Sequence, residues 1–167
     1  MILPNFRVLV GISDVATRES PYTLSTVLGS CIGICLYDPV RKIGSLAHAM
    51  LPCFENGSRQ GRLNPKRYVD TLLEIQLQEL AVKGVYPPSL LAKVVGGANV
   101  FSDVLPVVPD HVGEKNRLRA MEVLAKHRIR IVGTDVGLTF GRKVDFDLST
   151  GLVSVRKVGG GGVWKEL

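Results

Sequence analysis

Aromatic residues make up only 6% of the 167-residue chain, so its core must be built from Val, Leu, Ile and Ala. No window approaches the roughly 18 uncharged apolar residues that a membrane-spanning helix needs. Residues 1–9 lack the charged, apolar and small-residue zones of a secretory signal peptide. These absences predict a protein that is not inserted in a membrane and that works in the cytoplasm.

Cysteine occurs only three times, at Cys31, Cys35 and Cys53. An odd number without an export signal predicts free thiols rather than a disulfide framework. On a strand, the spacing of Cys31 and Cys35 sets the two sulfurs too far apart for the close pair of a structural zinc site or for a disulfide. We therefore expect no metal site and a core position for Cys35. A thiol-based redox or metal protein that uses all three cysteines is the alternative.

Signatures of nucleotide and nucleic-acid binding are also missing. The glycines at 96–97 and 159–162 are not followed by Lys-Ser/Thr, and no G-x-G-x-x-G opens a helix, so the common phosphate-binding loops are excluded. The net charge is +6, and Lys and Arg cluster at 59–67 and 115–130 without interleaved aromatic residues. The charge therefore predicts an acidic partner without identifying it, and we expect no nucleic acid.

Strand and helix patterns predict one α+β domain at residues 1–158, followed by a flexible glycine-rich tail at 159–167. Asn64-Pro65 predicts the start of a helix that ends at Gly84, and a second helix is predicted at 114–127. The polar segment 53–64 is typical of an exposed loop. Short apolar or alternating runs predict strands at 6–12, 22–28, 32–37, 43–51, 90–95, 129–132, 142–148 and 152–158.

A predicted β-hairpin brings Cys31 towards His48. If a five-residue loop at 38–42 joins the two strands, Cys31 lies opposite Ala49, and a one-residue bulge places it opposite His48. A thiol is a poor nucleophile at neutral pH until an imidazole takes its proton, so the pair predicts nucleophilic chemistry. A buried cysteine beside a hydrogen-bonded core histidine is the structural alternative.

A longer set of residues carries a resemblance to a known family. The run VLGSCIGICLYDPVRKIGSLAHAMLP at 27–52 resembles the signature of the chemoreceptor glutamine deamidases, the CheD family of bacterial and archaeal chemotaxis. Three further stretches agree, namely KVVGGANVF at 93–101, GEKN at 113–116, and 135–146 followed by TGLVSVRK. The resemblance extends from about residue 7 to residue 158.

The resemblance implies a fold similar to that of the cytotoxic-necrotizing-factor cysteine hydrolases, with antiparallel β-sheets packed together and helices outside. It implies hydrolysis of selected glutamine side chains on methyl-accepting chemoreceptors to glutamate, with neither a metal nor an organic cofactor. It also implies a regulatory partner, the phosphatase CheC, which presents a receptor-like helix. A non-catalytic chemotaxis module that docks on receptors or on CheC is the alternative function.

The resemblance also assigns roles to individual residues. Cys31 corresponds to the nucleophile, and His48 corresponds to its base. The third residue of the family is a threonine six positions before the cysteine, where this sequence has Ser25 with Thr26 beside it. We expect Ser25 to hold the imidazole in its useful tautomer, as the third member of a catalytic triad does.

Two further features concern the surroundings of the proposed nucleophile. Backbone N–H groups at Gly29 and Ser30 are the candidates for stabilising a tetrahedral oxyanion. Leu138 is a departure from the family, which often has a second glycine at this place after Gly137. We expect the substitution to alter a loop near the site.

Overall fold

The computed structural model of the chain describes residues 6–55, 59, 63–101 and 111–167, so the loop predicted at 53–64 lies partly outside the described residues. Two α-helices are described, α1 (Val69–Val82) and α2 (Val112–Lys126), with short 3-10 helices at Pro65–Arg67 and Pro87–Ser89. The described strands are β1 (Arg7–Leu9), β2 (Asp14–Glu19), β3 (Thr23–Leu28), β4 (Ile32–Asp38), β5 (Ile43–Ala49), β6 (Leu91–Gly96), β7 (Arg130–Val136), β8 (Arg142–Asp147), β9 (Val153–Lys157) and β10 (Lys165–Glu166).

The strands form two sheets of five. The central sheet has the order β2-β5-β4-β6-β7, and the outer sheet has the order β1-β3-β8-β9-β10. Neighbouring strands are antiparallel except for two parallel pairs, β1 with β3 and β6 with β7. The predicted α+β class with packed sheets and outer helices is confirmed, although the sheets are mixed rather than wholly antiparallel. The parallel pair β6–β7 arises because α2 carries the chain back between them.

The chain is built in three layers: helices, central sheet and outer sheet. Strand β4 is buried along its whole length because layers cover both of its faces. Ile34 and Leu36 pack in the cluster that includes both helices, whereas Cys35 and Tyr37 pack in the cluster shared with the outer sheet. No helix of the described residues is long and apolar enough to cross a membrane.

The hairpin of β4 and β5 differs from the predicted register. Four residues, 39–42, join the strands instead of five, since Asp38 still pairs with Ile43. The Asp38 carboxylate accepts hydrogen bonds from two N–H groups of the turn, at 2.9 and 3.0 Å, and so stabilises this shorter loop. Gly33 therefore lies opposite His48. Cys31 precedes β4 and opposes neither of its predicted partners, so this prediction was wrong by one position. The corrected register needs no bulge.

The C-terminal residues do not extend freely as the predicted tail at 159–167 would. Their last part is strand β10, which pairs antiparallel with β9 at the edge of the outer sheet. The Trp164 ring meets the Phe140 ring edge-on with 5.6 Å between centroids, and Lys157 Nζ lies 3.6 Å from the Trp164 centroid. An aromatic and cation–π contact thus anchors this end of the chain.

Candidate active site

His48 is buried between the two sheets, with 2% of its surface exposed. Its Nδ1 lies 2.8 Å from Thr26 Oγ1, and the same hydroxyl donates to the Val10 carbonyl oxygen at 2.7 Å. A hydroxyl carries one proton. Because Thr26 uses that proton on Val10, it must accept from the Nδ1–H of His48. Nε2 is then the nitrogen with the free lone pair.

The protonation state of His48 follows from its burial. Burial lowers the pKa of His48 from 6.5 to about 4, while the nearby Val10 carbonyl acts in the opposite direction. Nε2 has no hydrogen-bond partner among the residues that the structure describes. A neutral imidazole whose buried Nε2 faces no partner is suited to take a proton as a general base.

Ser25 does not hold the position expected from its distance to Cys31. Its hydroxyl donates to the Asp145 carboxylate at 2.6 Å and accepts from the Arg7 guanidinium at 2.9 Å. The physical reason is the alternation of side chains along β3. Thr26 shares the inward face of Leu24, whereas Ser25 points to the other face of the outer sheet. The imidazole is held by Thr26 and not by Ser25.

Cys31 lies on the same side of the central sheet as His48. The residue is half-buried and packs against the cluster between the two sheets. Gly33, two residues after Cys31, pairs with His48, so the backbone of Cys31 lies just beyond the end of the strand that borders His48. Burial raises the pKa of the Cys31 thiol, and its own backbone N–H acts in the opposite direction. The two groups are thus a neutral thiol and a neutral imidazole.

Hydrogen bonds to three consecutive carbonyl groups, those of residues 29–31, fix the backbone at Cys31. In a trans peptide the C=O and the following N–H point in opposite directions. The N–H groups of Ser30 and Cys31 therefore point away from the donors that hold these carbonyls. Of the two predicted oxyanion candidates, Ser30 fits this arrangement, and nothing in it singles out the N–H of Gly29. The hydrogen bonds are Ala98 N–H to Gly29 O at 3.0 Å, Asn116 Nδ2 to Ser30 O at 3.0 Å, and Gly97 N–H to Cys31 O at 2.8 Å.

The N–H groups of Gly97 and Ala98 form a clamp on the Cys31 and Gly29 carbonyls, and the loop that contains Leu138 is hydrogen-bonded to the same segment. Leu138 has φ 59°, in the left-handed region that glycine adopts at little cost. Its carbonyl accepts a hydrogen bond from Asn99 N–H at 2.8 Å, and Gly137 N–H donates to Gly96 O at 2.9 Å. Leu138 therefore adopts a backbone conformation that favours glycine, in a loop whose hydrogen bonds to residues 96 and 99 hold it in place.

An open groove of about 720 Å³ reaches His48 and Thr26 from the outward face of the outer sheet. Val27, Lys143 and Arg156 form one row across three adjacent strands of this face. Leu9 and Val27 are exposed apolar side chains in the groove, with 79% and 58% of their surface accessible. Arg7 and Arg156 both pair with Asp145, whereas Lys143 has no ion-pair partner among the described residues. The groove thus presents exposed apolar side chains together with basic ones.

The other two cysteines lie apart from this pair. Cys35 is fully buried, as predicted, and burial raises its pKa to about 12. Cys53 lies near Asp70 and Arg119, and all three cysteines are free thiols. Within residues 6–55, 59, 63–101 and 111–167, no group of three His, Cys, Asp or Glu side chains could hold a metal ion.

The sequence of the chain matches a known protein family. A family model described as CheD chemotactic sensory transduction matches residues 50–157. Three relatives named probable chemoreceptor glutamine deamidase CheD align over nearly the whole chain. The protein of Pyrococcus abyssi is 44% identical over 95% of this chain and 96% of its own, that of Thermococcus kodakarensis 43% over 93% and 96%, and that of Syntrophomonas wolfei 39% over 91% and 94%.

The chain therefore belongs to the CheD family, as the resemblance in its sequence predicted. A solved structure, the hypothetical protein YfiH of Bacillus licheniformis, is similar at a TM-score of 0.43 and 14% identity, over 73% of this chain and 50% of that one. The family model begins two residues after His48, whereas the alignments with the relatives cover more than nine tenths of the chain.

Proposed function

We propose that the chain hydrolyses glutamine side-chain amides on methyl-accepting chemoreceptors in the cytoplasm, with Cys31 as nucleophile and His48 as general base. The observation that carries the proposal is the free, buried Nε2 of His48 on the face that Cys31 shares. Thr26 takes the place expected of Ser25, because its hydroxyl fixes the tautomer that leaves Nε2 unprotonated. The names of the relatives supply the substrate class.

The neutral pair defines how the first step proceeds. His48 Nε2 accepts the Cys31 thiol proton as the sulfur forms a bond to the carboxamide carbon. The carbonyl π electrons move to oxygen, and the N–H groups of Ser30 and Cys31 are the proposed donors to that oxyanion. The imidazolium then returns its proton to the amide nitrogen, the C–N bond breaks, and ammonia leaves a thioester on Cys31.

The same imidazole completes the cycle. A water molecule gives its proton to Nε2 and attacks the thioester carbonyl carbon. The C–S bond breaks, the thiolate regains the proton, and a glutamate carboxyl group is released. The imidazole transfers every proton, and no atom is oxidised or reduced. The residues of the chain therefore suffice for these steps.

The groove, which His48 lines and Cys31 does not, suits a protein substrate with acidic character. The exposed side chains of Leu9 and Val27 suit the apolar face of a helix. The basic side chains of Arg7, Lys143 and Arg156 suit acidic side chains beside that face. Chemoreceptor cytoplasmic helices carry many glutamates, so charge would speed their encounter with this face. The receptor-like helix of a CheC-type phosphatase would meet the same surface, and we expect it to compete with the substrate.

Mass spectrometry of a chemoreceptor cytoplasmic fragment tests the proposal. We expect the mass increase of amide-to-acid conversion after incubation with the chain and none with Cys31→Ala. Unchanged fragments in both samples, with the thiol reduced and the organism's own receptors as substrate, would leave the chain as a binding module. Addition of a CheC-type phosphatase tests the competition, which predicts slower conversion at fixed substrate.

A further inference from the structure

Asn116 joins the chain segment of the proposed nucleophile to the strand of the proposed base. Its Nδ2 donates to the carbonyl oxygens of Ser30 and Met50, each at 3.0 Å. Ser30 immediately precedes Cys31, and Met50 is the second residue after His48. The Asn116 side chain is fully buried. One amide group thus spans the two backbones at the end of the β4–β5 ladder, where the strand pairing stops at Ile32 and Ala49.

The orientation of this amide is fixed by its partners. Both acceptors are carbonyl oxygens, so the nitrogen and not the oxygen of the side chain must face them. An aspartate at this position would place a carboxylate oxygen against two carbonyl oxygens and lose both hydrogen bonds. Asn116 therefore provides two donors that no acidic or apolar side chain of similar size supplies.

The helix that carries Asn116 is seated directly on the backbone that holds Cys31. A Cβ on Gly113, one turn before Asn116, would lie 2.7 Å from the Ala98 carbonyl oxygen. The N–H groups of Gly97 and Ala98 in turn hold the Cys31 and Gly29 carbonyls. Helix α2 thus packs on the segment 97–98 that binds residues 29–31, and the Asn116 amide links residue 30 to the end of β5.

We propose that Asn116 is a positioning residue, which sets the distance between the Cys31 thiol and His48 Nε2 without contact to the substrate. The inference rests on the proposed function of these two residues. A displacement of about 1 Å between reacting groups can lower a rate by about 10²-fold. Loss of the Asn116 amide should therefore reduce kcat far more than KM.

Gln76 of α1 provides a matched control within the same chain. Its Nε2 donates to the carbonyl oxygens of Ile34 and Ser45, at 2.9 and 3.0 Å, and its side chain is also fully buried. Gln76 thus bridges β4 and β5 as Asn116 does, but in the interior of the ladder. Gln76→Ala removes the same chemistry from a place where strand pairing already fixes the two chains.

The experiment compares Asn116→Ala, the milder Asn116→Ser, and Gln76→Ala in the full chain. Thermal unfolding, kcat and KM on the receptor fragment, and the rate of Cys31 alkylation by iodoacetamide are measured for each variant. We expect both alanine variants to lose stability, but only Asn116→Ala to lose about 10²-fold in kcat at nearly constant KM. Asn116→Ser, which retains one donor, should lose less.

Alkylation separates this inference from the proposed function, because it needs no substrate turnover. Release of the clamp should expose the Cys31 thiol and speed its alkylation several-fold in Asn116→Ala, with no change in Gln76→Ala. A failure of the wild-type chain to deamidate receptors would overturn the proposed function and leave the alkylation rates to decide the inference. Equal alkylation rates in all variants, or equal losses of kcat in both alanine variants, would overturn the positioning role.

Discussion

Thr26 and His48 are joined by a 2.8 Å contact that crosses from the outer sheet to the central sheet. Because the Thr26 hydroxyl donates to the Val10 carbonyl, this contact determines which imidazole nitrogen carries the proton. The packing of two sheets thus sets the tautomer of a buried imidazole. Its Nε2 is left unprotonated and without a hydrogen-bond partner among the described residues, as the proposed role of a general base requires.

Replacement of Thr26 by valine should lower deamidation sharply. The variant keeps the shape of the side chain but loses the acceptor for Nδ1–H, so that the imidazole can adopt the wrong tautomer. We expect kcat to fall by about 10²-fold, the low end of what general-base catalysis contributes. Initial rates of ammonia release on a receptor fragment measure it. Ser25→Ala is the control. Its rate should remain within about twofold of wild type, since Ser25 contacts Asp145 and Arg7 instead of His48. A greater loss of rate in Ser25→Ala than in Thr26→Val would contradict the assignment.

The sequence names the residues of the proposed site but not their geometry. The resemblance points to Cys31 and His48, and the structure brings both to the side of the central sheet that faces the outer sheet. Counting back six positions gave Ser25, yet the apolar positions Leu24 and Leu28 already marked the inward face of β3, which the residue between them at 26 shares. The alternation of side chains along β3 indicates Thr26, whereas the distance from the cysteine indicates Ser25.

The register and the clamp were beyond the sequence for different reasons. The length of the hairpin loop depends on whether Asp38 ends β4 or begins the turn. The hydrogen bonds from the turn to the Asp38 carboxylate favour the shorter loop, in which Asp38 ends the strand. The stretch at 113–116 was recognised as part of a family pattern without a physical role. Gly113 and Asn116 act on residues 29–31 across more than 80 positions of chain, which only the packed structure brings together.

Stability should fall with acid in a window that His48 controls. The folded pKa of His48 is about 4 and its unfolded pKa is 6.5, so between these values the unfolded chain binds more protons than the folded chain. The free energy of unfolding should therefore decrease as pH falls from about 6.5 to about 4, by up to about 3 kcal/mol. Urea unfolding at a series of pH values measures this decrease. His48→Asn should show a flatter profile, and an unchanged slope in that variant would contradict the assignment.

The neutral forms of Cys31 and His48 can be tested through the pKa of the imidazole. If Cys31 and His48 formed a thiolate–imidazolium ion pair, removal of the thiolate would lower the pKa of His48. Because burial raises the pKa of Cys31 and lowers that of His48, both of which favour the neutral forms, Cys31→Ala should leave the pKa of His48 at about 4. An NMR titration of the imidazole protons in both chains tests the point. A fall of a full unit in the variant would instead indicate an ion pair.

Gly113→Ala should destabilise the chain although it lies in a helix. At an open helical site the same change stabilises by about 0.5–1 kcal/mol. At Gly113 the added methyl group would lie 2.6 Å from the Gly97 carbonyl oxygen, and this atom belongs to a backbone that cannot turn aside. We expect a loss of about 1–3 kcal/mol, together with lower deamidation as α2 lifts from the clamp. Gly161→Ala, where a Cβ meets nothing within 4 Å, is the control for thermal unfolding and should be near neutral.

Charge at the groove should affect substrate capture rather than chemistry. Lys143 is exposed on the outward face of the outer sheet, and Lys143→Glu reverses its charge without breaking an ion pair among the described residues. We expect kcat/KM on an acidic receptor helix to fall by about 2- to 5-fold at low salt, with kcat unchanged. The difference from wild type should shrink as ionic strength rises, because salt screens exposed charges. Lys83→Glu makes the same charge change at the end of α1, in the helical layer. An equal loss in both variants would trace the effect to net charge alone and remove the groove from substrate binding.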